Sequence, residues 1–409
     1  MRKENIPLKN MRGTLILLIM AFHCFSAYIV TQPSHPIPFD RAPYQWLAFP
    51  IIDANRWIGF DLFCAFQFLY LMQLMFFLSA LFVWPSLSRM GWSAFLGHRL
   101  FRLGVPFVLG TYLLMPLAFY PVYRVTAVDQ GWSAFWSHWM ALPITPTGPM
   151  WFLWFLIALN VFAAVLHRRW PTARQFLAAL CGRIMDRPGK AFVLVVCVTA
   201  AAYLPIASVY SPWQWVGSGP FDIQPSLAPQ YVLYFLFGLV AGAYGHERGL
   251  LDVRGRLARH WMRWAIGGLA SFLIWIVPTA LLAQDPAASA ALRVFLLVVG
   301  DLGLTIFAAA ACFGMTALFL RFASTRWIIV DAVAENAYGI YFYHYLFVLW
   351  LQFALLDVDL PAIAKGLIVL VGTGSLSWLA SVATNRAIAG ARLGLERSVK
   401  LLAPSPRGR

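Results

Sequence analysis

Apolar runs of about 20 residues recur from one end of this 409-residue chain to the other, separated by short polar breaks. This pattern restricts the possible folds severely. Backbone N–H and C=O groups in hydrocarbon must find partners within the protein, so a spanning segment is either a helix or a strand of a closed barrel. The runs are continuously apolar and do not alternate, which sets a barrel aside. The expected fold is all-α, a multi-pass transmembrane helical bundle of about ten helices. Composition agrees: 61% of residues are hydrophobic and 11% charged, against about 45–50% and 25% in soluble domains.

The predicted spans are Arg12–Thr31, Trp57–Trp84, Leu103–Tyr123, Met150–Leu166, Ala191–Val209, Gln230–Tyr244, Trp264–Ala283, Leu292–Leu320, Ala337–Leu355 and Ala362–Val382. The first exceeds a signal-peptide core and lacks a small-x-small cleavage site, so it is read as a retained helix. With the amino terminus inside, every Lys and Arg except Arg41, Arg56, Arg124, Arg293 and Lys365 falls on the cytoplasmic side. Both termini are then cytoplasmic. Residues 1–390 read as one membrane domain and 391–409 as a short basic tail, frayed over 403–409. The net charge of +15 follows topology instead of forming one basic face, so nucleic acid is not an expected partner.

The loops expected outside, 31–55, 124–149 and 210–229, are rich in Pro and Trp. Trp132, Trp136, Trp139, Trp213 and Trp215 either form an interfacial belt or offer flat faces to sugar rings. The five cysteines are scattered without a CxxC pair, and neither HExxH nor a GxSxG elbow occurs. No metal and no serine nucleophile are expected.

Chemistry concentrates on the first helix. Arg12 and His23 are eleven residues apart, about 20° apart around a helix axis and about 16 Å along it. They share a face, with Arg12 at the inner mouth and His23 expected near mid-membrane. A histidine there either locks packing through a hydrogen bond or acts as a general base. Arg99 and Arg102, three apart on a helical face, suit a phosphate, although anchoring at the inner surface would place arginines there as well.

In these residues the chain resembles the bacterial acyltransferase-3 membrane proteins, whose first helix carries Arg or Lys, ten residues, then His. Further matching segments are Phe76-Phe77-Leu78-Ser79-Ala80, Arg99-x-x-Arg102 followed by Pro106, Met150-Trp151-Phe152-Leu153, and Asn336 through His344. Asn10 stands where many members have Asp, and Ala80 where Gly is usual. The resemblance implies an integral-membrane O-acyltransferase of a bacterial inner membrane, transferring groups other than aminoacyl groups. It implies an acetyl- or succinyl-class group moved from cytoplasmic acyl-coenzyme A to a hydroxyl of a glycan or similar acceptor. Acyl-coenzyme A is then a substrate, with no permanently bound cofactor. His23 is the expected base, and Arg12, Arg99 and Arg102 the donor-binding residues. Tyr341, His344, Trp151 and Asp301 are expected in supporting or acceptor-binding roles. Asp301 is expected to orient a histidine or an internal arginine, with a protonated structural carboxyl as the other reading. An organic-anion transporter and a non-catalytic glycan-assembly scaffold are the alternatives.

Overall fold

A computed structural model describes residues 5–402 other than 43, 246, 286 and 327; within 328–330 and 392–402 it describes the backbone alone. Eight helical stretches are long and apolar enough to cross a membrane. They include α2 (Ile58–Met90), α3 (Trp92–Thr126), α5 (Trp151–Arg169), α7 (Pro188–Ala207), α9 (Trp261–Gln284) and α10 (Ala290–Phe322). The other two are the first stretch, which contains α1 (Ile6–Phe25), and the start of α12 (Ala362–Leu402). The remaining predicted spans coincide with the shorter α8 (Ala228–Tyr244) and with α11 (Ile328–Ala354). Shorter helices lie between spans, among them α4 (Trp132–Ala141) and α6 (Ala173–Met185). The protein is a multi-pass helical bundle. Two three-residue strands, β1 (Val216–Ser218) and β2 (Phe221–Ile223), pair as an antiparallel hairpin. The tail residues 403–409 lie outside the described residues.

The first helix is displaced from its predicted position. Asn5 accepts the Leu8 N–H at 3.2 Å and a proline sits in the first turn, so α1 begins at Ile6 and ends at Phe25. Arg12 therefore lies well inside the helix, and His23 lies in its last turn instead of mid-span. Gln352 of α11 donates to the carbonyls of His23 (2.9 Å) and Cys24 (3.1 Å), two acceptors that a helix terminus leaves open. Asn10 donates to the carbonyl of Ala323 at 2.9 Å, a bond that an aspartate at this position could not make.

The second span is interrupted at Leu69–Tyr70, where the helix stops and restarts at Leu71. The third is interrupted for a clearer reason. It contains two wide five-residue turns, Leu100–Gly104 and Gly110–Leu114. Each ends two residues before a proline, Pro106 or Pro116, whose ring presses on the carbonyl four residues back and offers it no N–H. The carbonyl of Arg102, left without its partner by Pro106, accepts the Tyr338 hydroxyl at 2.9 Å. That of Leu117, four residues before Pro121, accepts the Trp350 indole N–H at 2.9 Å. Both donors belong to α11, so two prolines in α3 create the acceptors that dock α11.

Close backbone approach fixes α8 against α2. A Cβ on Gly238 or Gly242 would strike the carbonyls of Phe77 and Leu81, as small residues permit in membrane helix pairs. Away from the basic clusters, the loops are pinned by polar bonds. Asp61 accepts from the Val30 and Thr31 amides (2.7 and 2.9 Å) and from the Thr31 hydroxyl (2.7 Å). Lys365 and Asp53, each with a side chain 1% exposed, form an ion pair at 2.8 Å that joins the end of the loop 31–55 to the start of α12.

Candidate active site

The helices α1 and α11 pack side by side, and each brings a histidine to the same depth. His23 lies 17 residues into α1 and His344 16 residues into α11, about 25 Å along each axis. Their ring centroids are 5.3 Å apart. Tyr345 meets His23 edge-on at 5.1 Å, and Phe22 covers the flank at 5.3 Å. His23 is half-buried, and its ring makes no hydrogen bond among the described residues.

The polarity of His344 is fixed. Its Nδ1 lies 2.6 Å from the carbonyl oxygen of Tyr341. A carbonyl can only accept, so Nδ1 carries the proton and Nε2 presents a lone pair. That Nε2 is buried with no protein partner. Tyr341 is anchored in turn, its hydroxyl donating to the Pro149 carbonyl. The turn at Gly148 makes this approach possible: it adopts φ 49°, and a Cβ there would lie 2.8 Å from the Met115 sulfur and 3.0 Å from Tyr345.

Toward the amino-terminal end of α1, three guanidinium groups gather. Arg12 and Arg102 are close enough to repel, as are Arg99 and Arg102. Among the described residues no carboxylate lies within 4 Å of any of them. Arg99 lies over the Phe95 ring at 5.2 Å. Like charges held together without a counter-ion create a positive potential that attracts anions.

At the other end, Trp151 packs among Tyr231 (5.3 Å), Trp215 (5.7 Å) and Phe76 (6.3 Å). The hairpin is pinned over the segment leading to α5: Thr145 donates to the Gly219 carbonyl at 3.0 Å, and the Thr147 hydroxyl bonds the Asp222 carboxylate. Burial pushes the Asp222 carboxyl up to about 6, with the Thr147 bond opposing the shift. Trp132, Trp136 and Trp213 are exposed, whereas Trp139 is buried.

The protein thus has a pair of imidazoles with open nitrogens, linked along α1 to a cluster of three arginines. Residues 6–382, nearly the whole chain, match the acyltransferase-3 family, described as an acyltransferase domain.

The chain belongs to the acyltransferase-3 family.

It is therefore a membrane acyltransferase, an enzyme transferring groups other than aminoacyl groups. No curated protein and no solved structure matches it. In this acyltransferase the residues expected from sequence separate into groups. Arg12, Arg99 and Arg102 come together; His23, His344 and Tyr341 come together; Trp151 lies near the hairpin. Asp301 meets neither a histidine nor an arginine among the described residues; its carboxyl accepts from the Tyr203 hydroxyl of α7 at 3.0 Å, which fits the structural reading and not the orienting one. The hydroxyl supplies one hydrogen bond to it from the adjacent helix. Sequence reasoning missed Gln352, Pro149 and the Thr147–Asp222 bond. Gln352 left one signal, an amide within an apolar run; the other two left none, because each depends on a distant loop.

Proposed function

We propose that this enzyme moves a short acyl group, of the acetyl or succinyl class, from acyl-coenzyme A to a hydroxyl of a glycan or glycan-like acceptor. The arginine end faces the cytoplasm and the Trp-rich loops face outward, as the distribution of Lys and Arg favours. Arg12, Arg99 and Arg102 hold the donor phosphates. The extended pantetheine arm, comparable in length to the roughly 16 Å between Arg12 and His23, brings the thioester to the histidines.

His23 takes the proton of the acceptor hydroxyl as its oxygen attacks the thioester carbonyl. The C–O bond forms, the C–S bond breaks, and the thiolate leaves and takes up the proton held by the imidazole. His344, held by Tyr341 with its Nε2 lone pair free, orients the hydroxyl or the His23 ring. The position of His23 in the last turn of α1 shortens the acceptor's path from the outer loops and lengthens the donor's. The observation that carries this reading is the adjacency of two imidazoles with open nitrogens, on helices whose other ends meet an uncompensated arginine cluster.

The test uses membrane vesicles supplied with labelled acyl-coenzyme A and a glycan extract. Wild-type protein should yield an acylated glycan. His23→Ala should lower the rate by roughly 10²–10⁴-fold. Arg12→Ala should chiefly raise the donor KM, by about tenfold for a lost charge-assisted contact. Full activity of an inserted His23→Ala protein would end the mechanism. Anion uptake without an acylated product would favour a transporter.

A further inference from the structure

A cavity of about 410 Å³ opens between the start of α7 and the start of α9, lined by Arg187, Lys190, Arg256, His260, Arg263 and Trp264. It lies on helices other than those bearing the two histidines and the three donor-site arginines. All four Lys and Arg side chains are exposed, and among the described residues no carboxylate lies within 4 Å of them. Asp186, next in sequence to Arg187, is turned to the Tyr244 hydroxyl at 2.8 Å. His260 is oriented by its Nδ1 contact with the Arg256 carbonyl at 2.9 Å. The site therefore carries four fixed positive charges within one concavity, without an internal counter-ion.

The surface one turn farther along each helix is apolar. On α7, Val193 and Leu194 follow Lys190 by three and four residues and are 57% and 44% exposed. On α9, Ile266 follows Arg263 by three and is 61% exposed, and Leu269 beyond it is 63% exposed. Side chains three and four apart share a helix face, so Lys190 and Arg263 each lead into an exposed apolar strip of a helix long and apolar enough to cross a membrane. Trp264 at the cavity wall has the side chain favoured at the membrane–water boundary. A soluble phosphate would use the cations and leave the strips unused; a glycerophospholipid uses both.

We propose that this cavity binds the phosphate headgroup of an anionic phospholipid, with its acyl chains lying along the exposed strips of α7 and α9. The shared chemistry is a phosphate among guanidinium groups. The site is independent of acyl transfer and stands or falls without it.

The experiment places the full-length protein in bilayers mixing phosphatidylglycerol with phosphatidylcholine and identifies retained lipids by native mass spectrometry. Wild-type protein should retain phosphatidylglycerol well above its bulk proportion. The Lys190→Gln/Arg256→Gln/Arg263→Gln variant should lose that enrichment, at about fivefold in affinity for each charge removed. Arg174→Gln/Arg254→Gln/Arg259→Gln, which removes the same charge outside the cavity, should keep it. Equal retention by wild type and the cavity variant overturns the proposal, as does equal loss in both variants. Displacement of the lipid by millimolar inorganic phosphate, with equal phosphate binding in pure phosphatidylcholine, would assign the cavity to a soluble anion and also overturn it.

Discussion

At the scale of single residues, the two histidines differ in how much their surroundings dictate. His344 has one nitrogen committed to Tyr341 and one open, so its tautomer follows from a single 2.6 Å contact. His344→Asn should keep a donor for that carbonyl while removing the imidazole. A fall in kcat within about 10²–10⁴-fold, with thermal stability kept, would place His344 in proton transfer; an unchanged kcat would restrict it to helix contacts. Asp222 gives a pH prediction of definite sign. Its folded pKa, about 6, lies above its ordinary value near 3.8, so folding favours the protonated form. The stabilising contribution is full below about pH 4 and is lost as pH rises through 6. Asp222→Asn should therefore raise the apparent melting temperature at pH 8, flatten its dependence between about pH 4 and 7, and change little at pH 4 or below. The energy involved is at most about 3 kcal/mol. Arg12 and His23 were legible in the sequence because residues on one helix have a relation fixed by helical geometry. Asp301 was legible as a polar residue needing a partner, but Tyr203 lies 98 positions away and only packing brings the two together.

At the scale of elements, prolines in α3 act through the carbonyls they leave open. The Arg102 and Leu117 carbonyls receive Tyr338 and Trp350 from α11, the helix that also carries His344 and Gln352. Tyr338→Phe and Trp350→Phe should each lower stability by about 0.5–1.5 kcal/mol, read by thermal unfolding in detergent. Pro106→Ala, which returns an N–H to α3, should recover part of the Tyr338→Phe loss. Strictly additive effects of the two substitutions would contradict the link. The ten apolar runs were visible in the sequence, but the ends of α1 were not: the cap at Asn5 lies ahead of the apolar pattern, and the helix stops at Phe25, which leaves His23 in the last turn. The interruption at Leu69–Tyr70 likewise has no Gly or Pro to announce it.

At the scale of the whole molecule, the loops away from the basic clusters are held by few but buried polar contacts, among which Lys365–Asp53 joins positions 312 residues apart. Lys365→Met should cost about 3–5 kcal/mol by stranding a buried carboxylate, seen as a lower apparent melting temperature. Asp53→Leu/Lys365→Met should recover most of it; a double variant as unstable as the single one would contradict this account. Sequence alone determined that the protein is a multi-pass helical bundle, how its spans are ordered, and that Arg12 and His23 share a helix face. These properties follow from local rules: hydrocarbon requires each span to satisfy its own backbone, and helical periodicity fixes directions within a span. Tertiary structure decided that His344 stands beside His23, that three arginines converge, that Asp301 bonds Tyr203, and that α7 and α9 enclose a basic cavity. Each of these joins segments far apart in the chain, and side-chain fit between helices, which no single span encodes, selects them.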